Sequence, residues 1–287
     1  MTAPAQTRTK FTELSARERA AALLDYGTFR ELIGPFERLE SPHLEPQGVV
    51  PACDDGVVVA RGDLDGERAV VLAVEGLFQG GGIGEVSGAK IAGSLELALC
   101  DVERGHPIRP VLLLETGGIR LQEANLGLLA VAEIHAAIVA LRCHIPVVGV
   151  VAGLVGCFGG MAIAAGLCSH LVMTREGRLG LNGPQVIEQE AGVAELDSDD
   201  RRLIWGTIGG EQRTATGVAD TLVEDDVAAI AEAVRVAFAA GSPSEHRSAQ
   251  VERYEARLAE IDMAEPLDGP ALRTLWGTAR RIGHEQG

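Results

Sequence analysis

Two consecutive segments of this chain share one layout: an apolar, β-rich run, a pair of glycines, then a helical stretch. The runs lie at 110–115 and 147–151, the pairs are Gly117-Gly118 and Gly159-Gly160, and the helices are expected at 123–141 and 161–167, with a further run at 170–174. Runs of this length alternating with helices build a parallel sheet through right-handed crossovers. Val111 to Leu114 and Val147 to Val151 contain no polar side chain, so both faces of that sheet must be covered. The chain therefore reads as α/β with a mostly parallel sheet.

The flanks add to this centre. Ser15 followed by Glu18 is a capping box that opens a helix through Leu24, with Gly27 closing it. Asp65-Gly66 between β-rich runs at 57–61 and 68–74 is a hairpin signal. The glycine cluster Gly80, Gly81, Gly82 and Gly84 leads into an amphipathic helix at 87–103 with Ile91, Leu95, Leu99 and Val102 on one face. Past Leu181 the pattern loosens: Asn182-Gly183-Pro184 can start a helix, 195–202 is charged and exposed, and 220–223 suits a last short strand. Beyond Ala228 the pattern is helical, with breaks at 241–243 and 266–270. One domain is expected at 1–240 with a helical preface, followed by a helical extension at 241–287 that lies on the body or on a neighbouring chain.

Charge and local chemistry exclude several classes. Acidic residues outnumber basic ones 41 to 25, a net charge of −16, which repels nucleic acid and anionic membrane surfaces. Residues 145–168 carry no charge and are long enough to span a bilayer, but six glycines and a cluster of valines favour a buried strand, a turn and a buried helix. The five cysteines lack C-x-x-C spacing and read as reduced core thiols. With no cleavable leader pattern among the first residues, a cytoplasmic protein is expected. The glycines at 80–88 do not form G-x-G-x-x-G, Gly88-Ala89-Lys90 does not complete a phosphate loop, and no G-x-S-x-G elbow occurs. None of the seven histidines has metal-ligand spacing, and His135, on a helix among apolar residues, is assigned a structural or incidental role.

Three stretches can carry chemistry. Glycine is 36 of 287 residues, far above the ordinary share of about 7%, and such chains pack backbones closely or aim bare amides at ligands. Glu115-Thr116-Gly117-Gly118-Ile119-Arg120-Leu121-Gln122-Glu123 and Gly156-Cys157-Phe158-Gly159-Gly160-Met161-Ala162 each end a strand, turn on two glycines and enter a helix. Each is either a tight turn or a source of amide donors. On successive parallel strands they fall at the carboxyl edge, where ligands of open α/β sheets bind, and two facing amides suit a thioester oxygen that gains charge. The third stretch, Phe78 to Lys90, either turns the chain or lies against an extended cofactor arm.

The succession Phe-x-Gly-Gly, Gly-Ala-Lys-Ile, Glu-Thr-Gly-Gly-Ile-Arg-Leu-Gln-Glu, Gly-Gly-Met-Ala and Gly-Pro-Gln-Val-Ile-Glu-Gln resembles the carboxyltransferase branch of the crotonase superfamily. Within it, the chain is most similar to the malonate decarboxylase beta subunits, over about residues 18–223. The resemblance implies a crotonase-like fold of ββα units and decarboxylation of a malonyl thioester to an acetyl thioester and carbon dioxide, in malonate catabolism. It also implies an enolate oxygen held by the amides of Ile119, with Gly118 beside it, and of Gly160, with Gly159 beside it. Gly81, Gly82, Arg120, Gln122 and Gln185 become candidates for binding the substrate and its arm, although the spacing of Arg120 to Glu123 equally suits an ion pair. Lys90 could meet a cofactor phosphate, but a solvated helix face is the simpler reading.

No covalent cofactor or metal is implied for this chain; a phosphoribosyl-dephospho-CoA-type arm arrives on an acyl carrier subunit. A gamma subunit of similar fold, the carrier and an alpha transferase subunit are the implied partners in a hetero-oligomer. Absence of a four-cysteine zinc ribbon sets the chain apart from bacterial acetyl-CoA carboxyltransferase beta subunits, and absence of Met-Lys-Met means that it does not itself carry biotin. Two rivals stand beside this reading: a carboxyltransferase subunit that passes the carboxyl group to or from biotin, and a non-catalytic scaffold whose glycine turns shape a docking surface.

Overall fold

The computed structural model describes residues 9–262 and 268–282. Helix α1 (Ala16–Leu23) opens on the expected capping box: the Ser15 hydroxyl accepts from Glu18 N, and the Glu18 carboxylate accepts from Ser15 N. It ends before Gly27, because Asp25 N already donates to Asp63 O at the sheet. Strand β1 (Arg30–Leu32) follows, then the hairpin of β2 (Val57–Leu64) and β3 (Glu67–Val74). Its turn residues Asp65 and Gly66 have φ of 55° and 73°, the double positive φ of a type I′ turn. The strand–helix alternation then runs β4 (Gly82–Ile83), α2 (Glu85–Glu103), β5 (Arg109–Leu113), β6 (Gly118–Ile119), α3 (Asn125–Leu141), β7 (Val148–Val151), α4 (Gly160–Leu167) and β8 (His170–Thr174). Helices α5 (Pro184–Ala191), α6 (Arg201–Ile208) and α7 (Gly210–Ala215) precede β9 (Thr221–Val223), and α8 (Val227–Ala240), α9 (Val251–Ala259) and α10 (Gly269–Ile282) complete the chain.

Seven strands form one sheet in the order β1-β2-β3-β5-β7-β8-β9, while β4 and β6 pair separately. The first two pairings are antiparallel and the remaining four are parallel. Alternation along β3 shows how both faces are covered. Val70, Leu72 and Val74 pack with Ile91 and Leu95 of α2, Ile134 and Ile138 of α3 and Met161 of α4. Ala69, Val71 and Ala73 pack with Ala20 and Leu23 of α1 and Ile230 and Val234 of α8. Residues 145–168 become β7, a glycine turn and α4, and among the described residues no helix is long and apolar enough to cross a membrane.

Two expectations change. Of the five free cysteines only Cys157 and Cys168 are in the core; Cys100 and Cys143 are exposed and Cys53 is half-buried. Lys90 lies neither on a solvated face nor at a phosphate: it is buried, and Nζ donates to the carbonyls of Asp54 and Val57 at the start of β2. Burial holds its ammonium below the ordinary lysine range, with Asp54 and Asp55 opposing. The carboxy-terminal extension rests on its own chain, with α10 against α6 and α7 and Arg257 Nη1 donating to Thr216 O. The expected break at 266–270 falls partly outside the described residues.

Candidate active site

The two glycine turns are brought together by a continuation of the sheet. Beyond the ends of β5 and β7, Thr116 bridges Cys157 and Cys157 bridges Leu179, all in parallel. Thr116 N donates to Gly156 O, and Phe158 N donates to Thr116 O. Two residues past this Thr116/Cys157 step come Gly118 and Gly159, with φ of 111° and 61°, and their backbones touch. A methyl group on Gly159 would lie 3.2 Å from Gly118 Cα, and one on Gly118 would lie 3.3 Å from Gly159 Cα. Side chains are excluded here by both conformation and space.

Several amides at the turns are already engaged. Gly117 N donates to Gly80 O, Gly118 N to Thr116 Oγ1 at 3.0 Å, and Gly159 N to Leu181 O. Arg120 N donates to Ile83 O across the β4–β6 pair. Alternate amides of a parallel strand turn to opposite sides, so Ile119 N–H points away from β4. Gly159 is near it: a methyl there would lie 4.0 Å from Ile119 N. Gly160 opens α4, where an amide has no intrahelical acceptor, and no side chain caps that end.

A cleft of about 390 Å³ runs along the residues just ahead of both amides, Gly117 and Phe158, and is lined as well by Gly80, Arg178, Gly183 and Gln185. Arg178 lies 5.8 Å from the Phe158 ring and 4.9 Å from the Trp205 ring and donates to Val155 O. Neither Arg178 nor Ser198, which also lines the cleft, has a sequence signal, because each belongs to an irregular segment outside the strand–turn–helix units.

Of the five residues expected at the substrate and its arm, only Gln185 lines the cleft. Gly81 and Gly82 are buried instead: a methyl on Gly81 would meet Glu115 O at 2.1 Å, and Gly82 O accepts from Arg120. Arg120 is 2% exposed, and its Nη1 donates to Asp55 at 2.6 Å and to Glu123 at 2.8 Å. It ties the first turn to the loop before β2 and has no path to the cleft. Gln122 is exposed and gives its carbonyl to Gln47.

Glu123 also accepts from Ser41 Oγ and from Glu85 N. Burial pulls its carboxyl upward, but the bonds from Glu85, Ser41 and Arg120 outweigh that and hold it below the usual carboxylate range. The buried Arg19–Glu115 pair does the same mechanical work on the other side, fastening α1 to the strand end that carries the first turn. His135, placed by sequence in a structural or incidental role, has its Nε2 2.7 Å from Gly160 O.

The carboxyl transferase domain family matches residues 8–267 of this chain. The chain is 41% identical over 232 residues to the malonyl-S-ACP:biotin-protein carboxyltransferase of Malonomonas rubra, covering 77% of this chain and 73% of that protein. It is 61% identical, with a TM-score of 0.92, to a chain in the crystal structure of a Pseudomonas malonate decarboxylase hetero-tetramer in complex with malonate, covering 94% of this chain and 98% of that one. The methylmalonyl-CoA carboxyltransferase 12S subunit of Propionibacterium freudenreichii is 30% identical over 218 residues, and this chain spans 38% of its length. With a family match over most of its length, and with the parallel sheet and paired glycine turns in place, the chain belongs to the carboxyl transferase family, in the branch that includes the malonate decarboxylases.

Proposed function

We propose that this chain decarboxylates a malonyl thioester carried on an acyl carrier subunit, with the amides of Ile119 and Gly160 holding the thioester oxygen as it becomes an enolate. The observation that carries this reading is the contact between the two glycine turns at the carboxyl edge of the sheet, beside the cleft. In the reaction the bond between the α-carbon and the carboxylate breaks and its electron pair passes to the thioester oxygen. Carbon dioxide leaves, and a proton adds to the α-carbon afterwards. No strong base is needed to begin, which agrees with a site built from backbone amides in place of a catalytic side-chain set. The cleft past Gly80, Gly183 and Gln185 would take the extended arm, of phosphoribosyl-dephospho-CoA type, with nothing bound covalently to this chain.

Partners follow from the same reading: a gamma subunit of similar fold, the carrier and an alpha transferase subunit. Two relatives in solved structures come from a malonate decarboxylase hetero-tetramer and hetero-dimer, which supports a hetero-oligomer. Free thiols at all five cysteines support a reducing, cytoplasmic setting.

The test replaces the Gly160 amide by an ester, which deletes the N–H without adding a side chain. Carbon dioxide release from malonyl carrier by the assembled complex should fall roughly 100-fold to 1000-fold, the cost of one lost oxyanion donor. Unchanged turnover in a folded complex would falsify the assignment and favour the scaffold reading. A second reading is favoured by the Malonomonas rubra relative, a malonyl-S-ACP:biotin-protein carboxyltransferase. Avidin separates the two, since it blocks only a cycle that passes through biotin.

A further inference from the structure

We infer that His135 is a positioning residue for the reaction, holding the Gly160 end of α4 so that the Gly160 amide stays aimed at the enolate oxygen; this rests on the proposed role of that amide. His135 Nε2 lies 2.7 Å from Gly160 O. A carbonyl oxygen only accepts, so Nε2 carries the hydrogen and donates. One turn earlier on α3, Val131 presses on the same residue: a methyl on Gly160 would lie 2.6 Å from Val131 Cγ1. Val131 and His135 are four apart and share a helix face, so a single turn of α3 grips Gly160 at Cα and at O.

This grip matters because α4 starts poorly. Its N-cap and first position are Gly159 and Gly160, the most freely rotating residues available, and the helix lacks a side-chain cap. The Gly159 amide and carbonyl are fixed by bonds with Leu181 O and Ala162 N, while His135 is the side chain that fixes the next carbonyl, on the far side of the Gly160 Cα. The Gly160 carbonyl also accepts within the first turn of α4, and His135 adds a bond from outside the helix that ties this end of α4 to α3. An apolar ring of similar size would fill the space equally well, so packing alone does not call for histidine.

The experiment compares His135→Leu with His135→Gln in the assembled complex, reading kcat and KM for malonyl carrier. Leucine keeps bulk and removes the donor, whereas glutamine returns an N–H at nearly the same reach. His135→Leu should lower kcat by roughly 10-fold to 100-fold, the scale of a misplacement near 1 Å, with KM and the melting temperature little changed. His135→Gln should recover most of the loss. Wild-type kcat in the leucine variant, or equal losses in the two variants, overturns the inference. If the leucine variant does not fold, His135→Asn, whose amide is too short to reach Gly160 O, takes its place. Should the ester at Gly160 slow the reaction while His135→Leu does not, the positioning role fails alone; if the ester is silent, the reading beneath it fails first.

Discussion

Gly153→Ala tests how the site edge is held. Glu115 is 6% exposed, and its carboxylate pairs with Arg19 and accepts from Val155 N at 3.1 Å. A methyl on Gly153 would lie 2.0 Å from Glu115 Cδ and 2.3 Å and 2.4 Å from its two oxygens. Retreat the other way is closed, since Gly76 touches the same side chain so tightly that a methyl there would lie 2.6 Å from Glu115 Cγ. The carboxylate must therefore leave Arg19, and breaking a buried pair costs about 3–5 kcal/mol. At about 2–4 °C per kcal/mol for a chain somewhat smaller than this one, even the lower figure shifts the melting temperature by roughly 6–12 °C. Because Val155 lines the cleft, the proposed decarboxylation should fall as well. Circular-dichroism melts of Gly153→Ala are to be set against the same substitution in a Glu115→Ala background, where the new methyl has room and should cost less than about 1 kcal/mol. A shift under about 2 °C in the first melt, or equal shifts in the two backgrounds, refutes the clash with Glu115 as the cause.

Acid should act through Glu123. A carboxyl held low in the folded state contributes stability that is present above the ordinary carboxylate pKa of about 4.3 and lost as pH falls through the folded value; stability of the wild type measured from pH 6 down to 3 should therefore drop more steeply than that of Glu123→Gln, and parallel curves refute the assignment. Alkylation should sort the thiols. Burial pushes Cys157 far above the thiol range and Cys168 up to about 12, so iodoacetamide on the native protein followed by peptide mass mapping should label Cys100 and Cys143 and spare these two. Labelling of Cys157 before unfolding contradicts the core placement.

Local chemistry was readable and long-range closure was not. Asp65-Gly66 and the Ser15–Glu18 box act within four residues, so the hairpin and the first helix are legible. The glycine pairs likewise announce the two turns. β1, β4 and β6 are two or three residues long and offer no run for a period to appear in. Arg120 illustrates the limit most clearly: its i, i+3 partner Glu123 is visible in sequence, but Asp55 lies 65 residues away, and that second partner helps bury the guanidinium away from the residues that line the cleft. Gly81 and Gly82 look like ligand-facing backbone for the same reason that they are in fact glycine, a near approach, but the approaching groups are the protein's own Glu115 carbonyl and Arg120.

Both ends of α4 are fastened, and the fastening joins remote parts of the chain to the site. At its carboxyl end Arg142 Nη1 donates to Leu167 O, while Arg247 donates to Gly166 O and Cys168 O. Two guanidinium groups thus meet the negative end of the helix dipole. Arg247 comes from the segment that follows α8, so the carboxy-terminal extension steadies the same eight-residue helix whose amino end carries the proposed Gly160 donor. At that amino end α3 supplies Val131 and His135. Amide donors lower a barrier only if they are already oriented when charge appears, since reorienting them at that moment costs what the interaction would return. A short, glycine-started helix cannot supply that order from its own propensity, and the clamps at its two ends supply it from tertiary structure.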